Sequence, residues 1–466
     1  MIRLNRITAR TLKDVERKSF RHVPSVLATL ILLTQPTGCF RESKVDPAQP
    51  STFARSYNNG YDTFAVQLEQ TPDGGYIILA NSNVRDSEAD PFEFKIVLVK
   101  TDRYGNELWM RHYPEITDKS RDLVGTSITL LSDGGYLVTG SEIEERNAST
   151  GEIIRFKPFI MTVDNNNTDN GTVTKEQTYS GVNNARVVAA TVKETNSGYD
   201  FLVLSTSVQQ DTSFMILSAV PSSTLQITSS QRYFVSDASG TADLTPVNKL
   251  FFESGSLEYT YFGGTSSKSN RNQAIFAKAQ PSRKTTEFAN EFGYPSFDET
   301  INDICQLGNG FAMIGKTNFR NNDDILFIKV SSSGIFSDSS VFVSEILSDE
   351  DYNSNTKRED FKELNSKNEV GNSISSTSDG GFIVLSTIDS YGAPIPLGAG
   401  NTDMSLLKIN GFGDRLWARS FGGSDAESGN CVRQASDGGY AVLGTSRLGN
   451  RRTIMFLKTD KNGEID

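Results

Sequence analysis

The stretch PDGGYIILANS, Pro72–Ser82, recurs with small changes along the chain. Its clear copies are SDGGYLVTGSE at 132–142, SDGGFIVLSTI at 378–388 and SDGGYAVLGTS at 436–446. The aspartates of the four stretches are separated by 60, 246 and 58 residues, so the long gap has room for four units of about 61 residues. Three degraded copies are therefore expected inside it, at NSGYDFLVLSTS (196–207), SGSLEYTYFGGT (254–265) and GNGFAMIGKT (308–317), which gives seven units.

Each unit has further recurring parts on both sides of Asp-Gly-Gly. An alternating stretch such as VGTSITLL (124–131) precedes it, an apolar run such as FKIVLVKTD (94–102) follows, and an aromatic stretch such as RYGNELWMRHY (103–113) closes the unit. Short, alternating, β-branched segments bounded by Gly, Asp and Asn are typical of β-strands. Seven units of four strands predict an all-β fold, a seven-bladed β-propeller with four antiparallel strands per blade.

The repeated aspartates have a structural interpretation. Asp followed by Gly between alternating strands supplies the positive φ angles that a tight hairpin needs. Gly105, in Lys100-Thr101-Asp102-x-x-Gly105, has the same role at the next turn. We therefore predict that these aspartates form turns rather than bind ligands.

The two ends of the chain carry matching segments. FARSYNNGYD begins at Phe53 and WARSFGGSD begins at Trp417, where it forms the fourth strand of the sixth unit. The seventh unit stops at Asp466 before its own fourth strand, and a blade of three strands would leave an exposed sheet edge. The N-terminal strand, residues 53–57, is therefore predicted to complete blade 7 and close the ring.

These repeats resemble those of a known class of proteins. DGGY followed by an apolar strand, and the Lys-Thr-Asp-x-x-Gly-x-x-x-Trp run at Lys100–Trp109, resemble the repeats of β-propeller envelope and surface lipoproteins of the Bacteroidota type. The second motif is also similar to the blade hairpin of quinoproteins, so it indicates a propeller blade and says little about activity. The resemblance covers nearly all of the predicted propeller domain, residues 52–466, and implies a protein of the bacterial envelope.

The N-terminus has the pattern of a signal peptide. Seven basic side chains are followed by VLATLILL, Val26–Leu33, which is shorter than the roughly 20 residues that span a bilayer. Gly38-Cys39 resembles the lipobox of bacterial lipoproteins, although Pro36 stands where that pattern has an aliphatic residue. We predict a signal peptide at 1–38, lipidation of Cys39 and a lipidated tether at 39–51; ordinary secretion with Cys39 unmodified is the alternative.

An acylated cysteine carries more than one acyl chain, and two membrane signals are enough for stable anchoring in a bilayer. The membrane partner is then the bacterial outer membrane, reached through the lipid anchor, and the sequence leaves open whether the periplasmic or the cell-surface side is occupied. Loss of seven basic and two acidic residues with the signal peptide changes the net charge from −11 to about −16. Such acidity argues against nucleic acid as a partner.

The sequence offers little support for catalysis or for a bound cofactor. The chain contains no H-E-x-x-H, G-x-S-x-G or Gly-rich phosphate loop, and His112 is the one histidine left after the signal peptide, on a strand predicted to lie at an outer blade edge. The predicted inner strands carry Gly, Ser, Thr and Asn, with Glu69 and Asp303 as exceptions. We predict no enzyme activity, no cofactor and no metal. Cys305 and Cys431 are either buried free thiols or a bridge.

The strand order sorts the connections between two faces of the propeller. Connections from strand one to two and from three to four are tight and share one face, which we call the tight-turn face. The opposite, long-loop face holds the irregular segments 82–93, 141–156, 388–403 and 348–369. Because function is commonly carried by loops above a rigid scaffold, we predict a binding site there that includes Arg85, Phe92, Asp389 and Tyr391.

The predicted function is that of a lipid-anchored envelope protein whose long-loop face binds a partner protein or ligand, as an accessory component of an outer-membrane complex. The alternative is a carbohydrate-binding or carbohydrate-active surface lipoprotein, either a hydrolase or a lyase. A scaffold needs flat contact surfaces, a glycan-binding protein needs aromatic platforms beside carboxylates or amides, and a glycosidase needs two converging carboxylates.

Overall fold

The computed structural model describes residues 51–85, 92–147, 152–165, 171–180, 185–195, 198–209, 212–233, 236–237, 240–241, 243–253, 258–268, 271–280, 286–292, 296–318, 322–342, 368–389 and 402–465. All of them belong to one compact unit, Gln49–Asp466. The predicted signal peptide, Cys39 and Tyr391 lie outside the described residues. No helix in the described ranges is long and apolar enough to cross a membrane.

The described strands form seven antiparallel sheets in a ring, and the prediction of a seven-bladed β-propeller is confirmed. Blade 1 contains β2 Asp62–Gln70, β3 Tyr76–Val84, β4 Glu93–Thr101 and β5 Glu107–Tyr113. Blade 2 contains β6 Leu123–Leu130, β7 Tyr136–Arg146, β8 Ile153–Val163 and β9 Val173–Thr178. Blade 3 contains β10 Ala185–Thr195, β11 Gly198–Gln209, β12 Thr212–Pro221 and β13 Ser229–Tyr233. A two-stranded ribbon, β14 Ser236–Asp237 with β15 Gly240–Thr241, precedes blade 4.

Blades 4 to 7 follow the same order, innermost strand first. Blade 4 contains β16 Asp243–Pro246, β17 Phe251–Glu253, β18 Tyr259–Lys268, β19 Arg271–Ala279 and β20 Thr286–Phe292, and blade 5 contains β21 Glu299–Leu307, β22 Gly310–Thr317, β23 Asp324–Ser331 and β24 Phe336–Phe342. Blade 6 contains β25 Glu369–Ser376, β26 Phe382–Asp389, β27 Thr402–Ile409 and β28 Arg415–Phe421. The three inner strands of blade 7 are β29 Glu427–Gln434, β30 Tyr440–Leu448 and β31 Arg451–Thr459. The fourth strand of blade 7 is β1, Phe53–Tyr57.

The N-terminal strand closes the ring as predicted. Strand β1 pairs antiparallel with β31, with Phe53 opposite Lys458 and Tyr57 opposite Ile454. The Phe53 and Tyr57 side chains are buried in a cluster shared by blades 7 and 1. Blade 7 therefore has its three inner strands from the C-terminal end of the chain and its outer strand from the N-terminal end.

The Asp-Gly-Gly and Lys-Thr-Asp motifs of one blade contact each other. Asp73 accepts a hydrogen bond from the backbone N–H of Gly75 at 2.9 Å, and the buried Nζ of Lys100 lies 2.9 Å from its carboxylate. A Cβ on Gly75 would lie 2.7 Å from that Nζ, so the second glycine gives the lysine room. Lys408 with Asp379 and Lys458 with Asp437 repeat the pair in blades 6 and 7. The prediction that these aspartates form turns is confirmed.

The aromatic residues of the fourth strands join neighbouring blades. A Cβ on Gly105 of blade 1 would lie 2.5 Å from the Phe53 ring of blade 7, so only glycine leaves space for that ring. The Tyr57 hydroxyl donates a 2.6 Å hydrogen bond to the Gly105 carbonyl. Tyr113 donates in the same way to the Gly171 carbonyl of blade 2. The turn between the third and fourth strands of blades 1 and 2 therefore contacts the aromatic fourth strand of the preceding blade.

Two segments differ from their predicted form. The predicted loop 141–156 consists largely of strand, because β7 runs to Arg146 and β8 starts at Ile153. The two strands stay paired beyond the blade, with Glu142 opposite Lys157. The inner strand of blade 4 is interrupted: β16 and β17 both pair with β18, and Val247–Leu250 separates them.

Candidate functional site

A cavity of about 440 Å³ lies on the propeller axis. Its walls come from the inner strands and from the interruption in blade 4, and its polar lining includes Gln67, Glu69, Thr129, Asn248, Lys249, Gln306 and Arg433. The wall residues belong to the C-terminal halves of the inner strands, where each strand runs into its hairpin. The cavity therefore lies toward the tight-turn face, at the opposite end of the axis from the long-loop face.

Arg433 of blade 7 and Glu69 of blade 1 form an ion pair in this cavity. The Nη2 and Nε atoms of Arg433 donate to Oε1 of Glu69 at 2.6 and 3.0 Å. The Gln67 amide donates to the same oxygen at 2.9 Å, and to the carbonyl of Ile128 in blade 2 at 3.0 Å. One polar network thus connects blades 7, 1 and 2 across the axis.

Lys249 of blade 4 and Asp303 of blade 5 form a second ion pair. The Lys249 Nζ lies 2.7 Å from Oδ1 of Asp303, whose carboxylate also accepts from the Ser373 hydroxyl at 2.7 Å and from the Ile374 backbone N–H at 2.9 Å. Ser373 in turn accepts from the backbone N–H of Val432 at 3.1 Å. This network connects blades 4, 5, 6 and 7.

The position of Lys249 depends on the interruption of the blade 4 inner strand. The other six inner strands each carry a one-residue β-bulge at the equivalent place, for example between Ile301 and Asp303 in blade 5 and between Gly371 and Ser373 in blade 6. In blade 4 the bulge is enlarged to Val247–Leu250. An enlarged bulge re-aims the backbone locally, and here it carries Lys249 to the axis.

The cavity is charge-balanced, because each cation lies against a carboxylate. Burial disfavours the Arg433 charge, but acidic neighbours that include Glu69 and Asp303 more than offset this, so the pKa of Arg433 is raised. Burial raises the pKa of the Cys305 thiol to about 12, so this lining residue stays protonated. Cys305 and Cys431 are both free and buried. Within the described ranges, no group of three or more His, Cys, Asp or Glu side chains is arranged to hold a metal ion.

The structure places three of the four predicted binding residues on the long-loop face. Arg85 and Phe92 begin and end the connection from β3 to β4, and the Arg85 guanidinium carbon lies 4.5 Å from the centre of the exposed Phe92 ring. Asp389 ends β26 and accepts a 3.0 Å hydrogen bond from the Asn368 amide. Arg85 and Phe92 therefore form one unit on blade 1, whereas Asp389 belongs to blade 6, with blade 7 between them.

His112 lies on β5, the outer strand of blade 1, and not in the axial cavity. Its Nε2 lies 3.0 Å from the amide nitrogen of Asn59, in the segment that joins β1 to β2. Burial lowers the pKa of His112. The side chain is therefore part of the ring closure.

Glu69 and Asp303 could be recognised from the sequence as carboxylates on inner strands, but their cationic partners, Arg433 and Lys249, were not predicted. Arg433 lies in the stretch GNCVRQA that precedes an Asp-Gly-Gly, and the alternation of that stretch with the inner strands could have placed its side chain at the axis. Lys249 has no equivalent position in the other repeats, because the blade 4 unit is the most degraded and its inner strand is interrupted. Only the closed ring brings Lys249 to Asp303.

Comparisons with known proteins give the fold. No protein-family model matches the chain, and no curated protein matches it. Among solved structures, an ulvan lyase of polysaccharide lyase family PL25 superposes with a TM-score of 0.50 at 7% identity, over 87% of this chain and 96% of the lyase. The NanB sialidase of Streptococcus pneumoniae gives 0.43 at 10% identity over 88% and 71%, and YCF48 of Cyanidioschyzon merolae gives 0.46 at 8% over 86% and 98%. At 7% identity, the superposition with the ulvan lyase shows a similarity of fold alone.

Proposed function

We propose that the protein is a lipid-anchored protein of the bacterial outer membrane that binds a partner protein through its long-loop face, as an accessory component of an envelope complex. The observation that carries the proposal is the exposed Arg85–Phe92 pair, which stands beside a long connection on this face. Arginine and aromatic side chains are enriched among the residues that dominate protein interfaces. The opposite face offers tight hairpins.

Capture of partners from envelope membranes tests this role. The wild-type chain and an Arg85→Ala/Phe92→Ala variant are compared, with proteins identified by mass spectrometry. The matched control is Arg103→Ala/Tyr104→Ala, which removes another cation–π pair, at 5.8 Å, from a turn on the tight-turn face. We expect a stoichiometric partner with the wild type and the control and its loss with the Arg85/Phe92 variant; equal recovery with all three would contradict the proposed surface. Asp389→Ala and Tyr391→Ala extend the test to the two remaining predicted residues.

Anchoring is tested separately by labelling cells with a palmitate analogue. Acylation at Cys39 predicts that Cys39→Ser abolishes the label and that Cys305→Ser, which removes a buried thiol, retains it. A label that survives in Cys39→Ser would show that another group carries the lipid. No label in any form would favour ordinary secretion.

Carbohydrate binding is the second candidate, because the axial cavity combines a carboxylate and amides with one aromatic ring. Glu69, Gln67, Asn248 and Gln306 line the cavity together with Phe251. A volume of about 440 Å³ lies within the roughly 300–1,000 Å³ that is usual for small-molecule sites. A neutral polyol suits a lining whose charges are already balanced.

Thermal shift with neutral oligosaccharides tests this candidate. A ligand that binds only the folded state raises the melting temperature by mass action. Ser376→Trp would fill the cavity without removing either ion pair, and Ser333→Trp adds the same side chain at an exposed turn. A shift that is seen with wild type and Ser333→Trp and is absent with Ser376→Trp supports binding in the cavity; a shift common to all three places the ligand elsewhere.

A further inference from the structure

Eight large apolar side chains are exposed in the described ranges, and three of them, Phe92, Ile154 and Leu448, lie on the long-loop face. Within the described ranges, five large ones lie at the turns that join third and fourth strands, on the tight-turn face: Leu108, Ile227, Ile335, Phe412 and Leu416. Four of these five belong to blades 5, 6 and 1 and are 50% to 77% exposed. We call Ile335, Phe412, Leu416 and Leu108 the apolar rim.

The chain enters the propeller at the same place. Strand β1 is the outer strand of blade 7, which lies between blades 6 and 1, and it starts at the tight-turn face because fourth strands run away from that face. Phe53 contacts the Gly105 turn of blade 1, which directly precedes Leu108. The described chain therefore begins between Leu416 and Leu108, in the middle of the apolar rim.

The length of the remaining tether limits where this part of the propeller can lie. Twelve peptide steps separate Cys39 from Ser51, and a fully extended chain of that length spans about 40 Å. A chain anchored at Cys39 thus keeps the start of β1 within about 40 Å of the membrane, and the apolar rim surrounds that point. Apolar side chains held there can bury their surface in the headgroup region at little further entropic cost.

We propose that the apolar rim docks on the lipid surface, so that blades 5, 6, 7 and 1 rest on the membrane by their tight-turn edge and the long-loop face points away from it. This inference rests on the proposed anchor at Cys39. The lipid is zwitterionic, because the turns of blades 6, 7 and 1 hold the exposed carboxylates of Asp414, Glu464 and Glu107 beside the exposed cations Lys461 and Arg103, and so nearly balanced a charge gives little attraction to anionic headgroups.

Quenching by brominated lipids tests the docking. The chain from Cys39 onward, which contains every described residue, is coupled through the Cys39 thiol to a maleimide phospholipid in phosphatidylcholine–phosphatidylethanolamine vesicles. Phe412→Trp reports on the rim, and Leu448→Trp, at an exposed apolar position on the long-loop face, is the control. After subtraction of wild-type emission, we expect at least about twofold stronger quenching for Phe412→Trp. Equal quenching, or stronger quenching at position 448, overturns the proposal.

A charge variant tests whether the rim itself makes the contact. Leu108→Asp/Leu416→Asp, added to Phe412→Trp, should abolish the quenching, whereas Ile154→Asp/Leu448→Asp, on the other face, should leave it unchanged. Retained quenching in the rim variant contradicts the proposal. Since the lipid is attached chemically, the result is independent of natural acylation: a wild-type chain that takes up no palmitate label in cells would overturn the proposed anchor and leave the rim contact of the lipid-coupled chain supported.

Discussion

The Phe53 and Phe456 rings meet edge to face, with their centroids 5.1 Å apart and their planes at 84°. One residue belongs to the first described strand and the other to the last, so this contact joins the two ends of the chain. Edge-to-face aromatic pairs contribute beyond the area that they bury. The ring is closed by side-chain packing as well as by the backbone hydrogen bonds between β1 and β31.

Loss of the Phe53 ring should destabilise the whole propeller. Phe53→Ala removes a buried ring from the contact between blades 7 and 1, and we expect a loss of about 3 to 5 kcal/mol in the free energy of unfolding. Ala54→Ser, at an exposed position on the same strand, should change it by less than about 0.5 kcal/mol. Denaturant unfolding measures both. Deletion of residues 51–60 should lower the melting temperature strongly, and an unchanged value would contradict closure by this strand.

Gly105 and Gly134 separate the effect of backbone conformation from that of packing. Both have positive φ, 73° and 88°, but an added Cβ would lie 2.5 Å from the Phe53 ring at Gly105 and would meet nothing within 4 Å at Gly134. Gly134→Ala should cost about 1 kcal/mol through strain in the left-handed region. Gly105→Ala should cost at least about 1 kcal/mol more, because the ring has to move. Equal losses of unfolding free energy in chemical denaturation would show that the contact between Gly105 and the Phe53 ring contributes little to stability.

The axial ion pair should contribute more than a surface pair. Lys249→Met leaves the buried Asp303 carboxylate without its cation, and we expect a loss of about 3 kcal/mol in unfolding free energy. Lys193→Met breaks a pair with Glu258 whose side chains are 27% and 43% exposed, and should cost less than about 1 kcal/mol. Lys249→Met/Asp303→Asn should recover part of the loss. Similar values for the two single variants would argue that the axial pair is well solvated.

His112 should make stability depend on pH near neutrality. Burial lowers its folded-state pKa below the unfolded value of about 6.5, so the unfolded chain binds the proton first as the pH falls. The wild type should therefore lose stability as the pH falls through and below about 6.5. His112→Gln should lose less over the same interval in urea titrations. A steeper decline in the variant would mean that the folded state favours the charged imidazole.

The two buried cysteines should be inert in the native protein. Burial raises the pKa of both thiols, that of Cys305 to about 12, and thiolate is the reactive form. We expect no reaction of either thiol with a soluble disulfide reagent at about pH 8, and reaction of both after unfolding in denaturant. Rapid labelling of the folded chain at either position would show that the inner strand carrying it opens.

The sequence by itself determined the blades and their closure. Asp-Gly turns and alternating strands specify hairpins between residues that are close along the chain, as in Asp73 with Gly75, and the copy of the fourth strand at Phe53 specifies its place beside β31. The contact of Lys100 with Asp73 could also have been inferred, because the two motifs recur together. Each of these features recurs along the chain, so the pairing of neighbouring strands can be predicted from the repeats.

The axial site was decided by the tertiary structure. Arg433 meets Glu69 and Lys249 meets Asp303 only because seven blades close around one axis at a fixed radius, which brings inner strands far apart in sequence within hydrogen-bonding distance. Lys249 also needs the enlarged bulge of blade 4, an irregularity with no counterpart in the repeat. Side-chain contacts across the ring depend on its closure and on local irregularities such as this bulge. The repeat period of the sequence specifies neither of them.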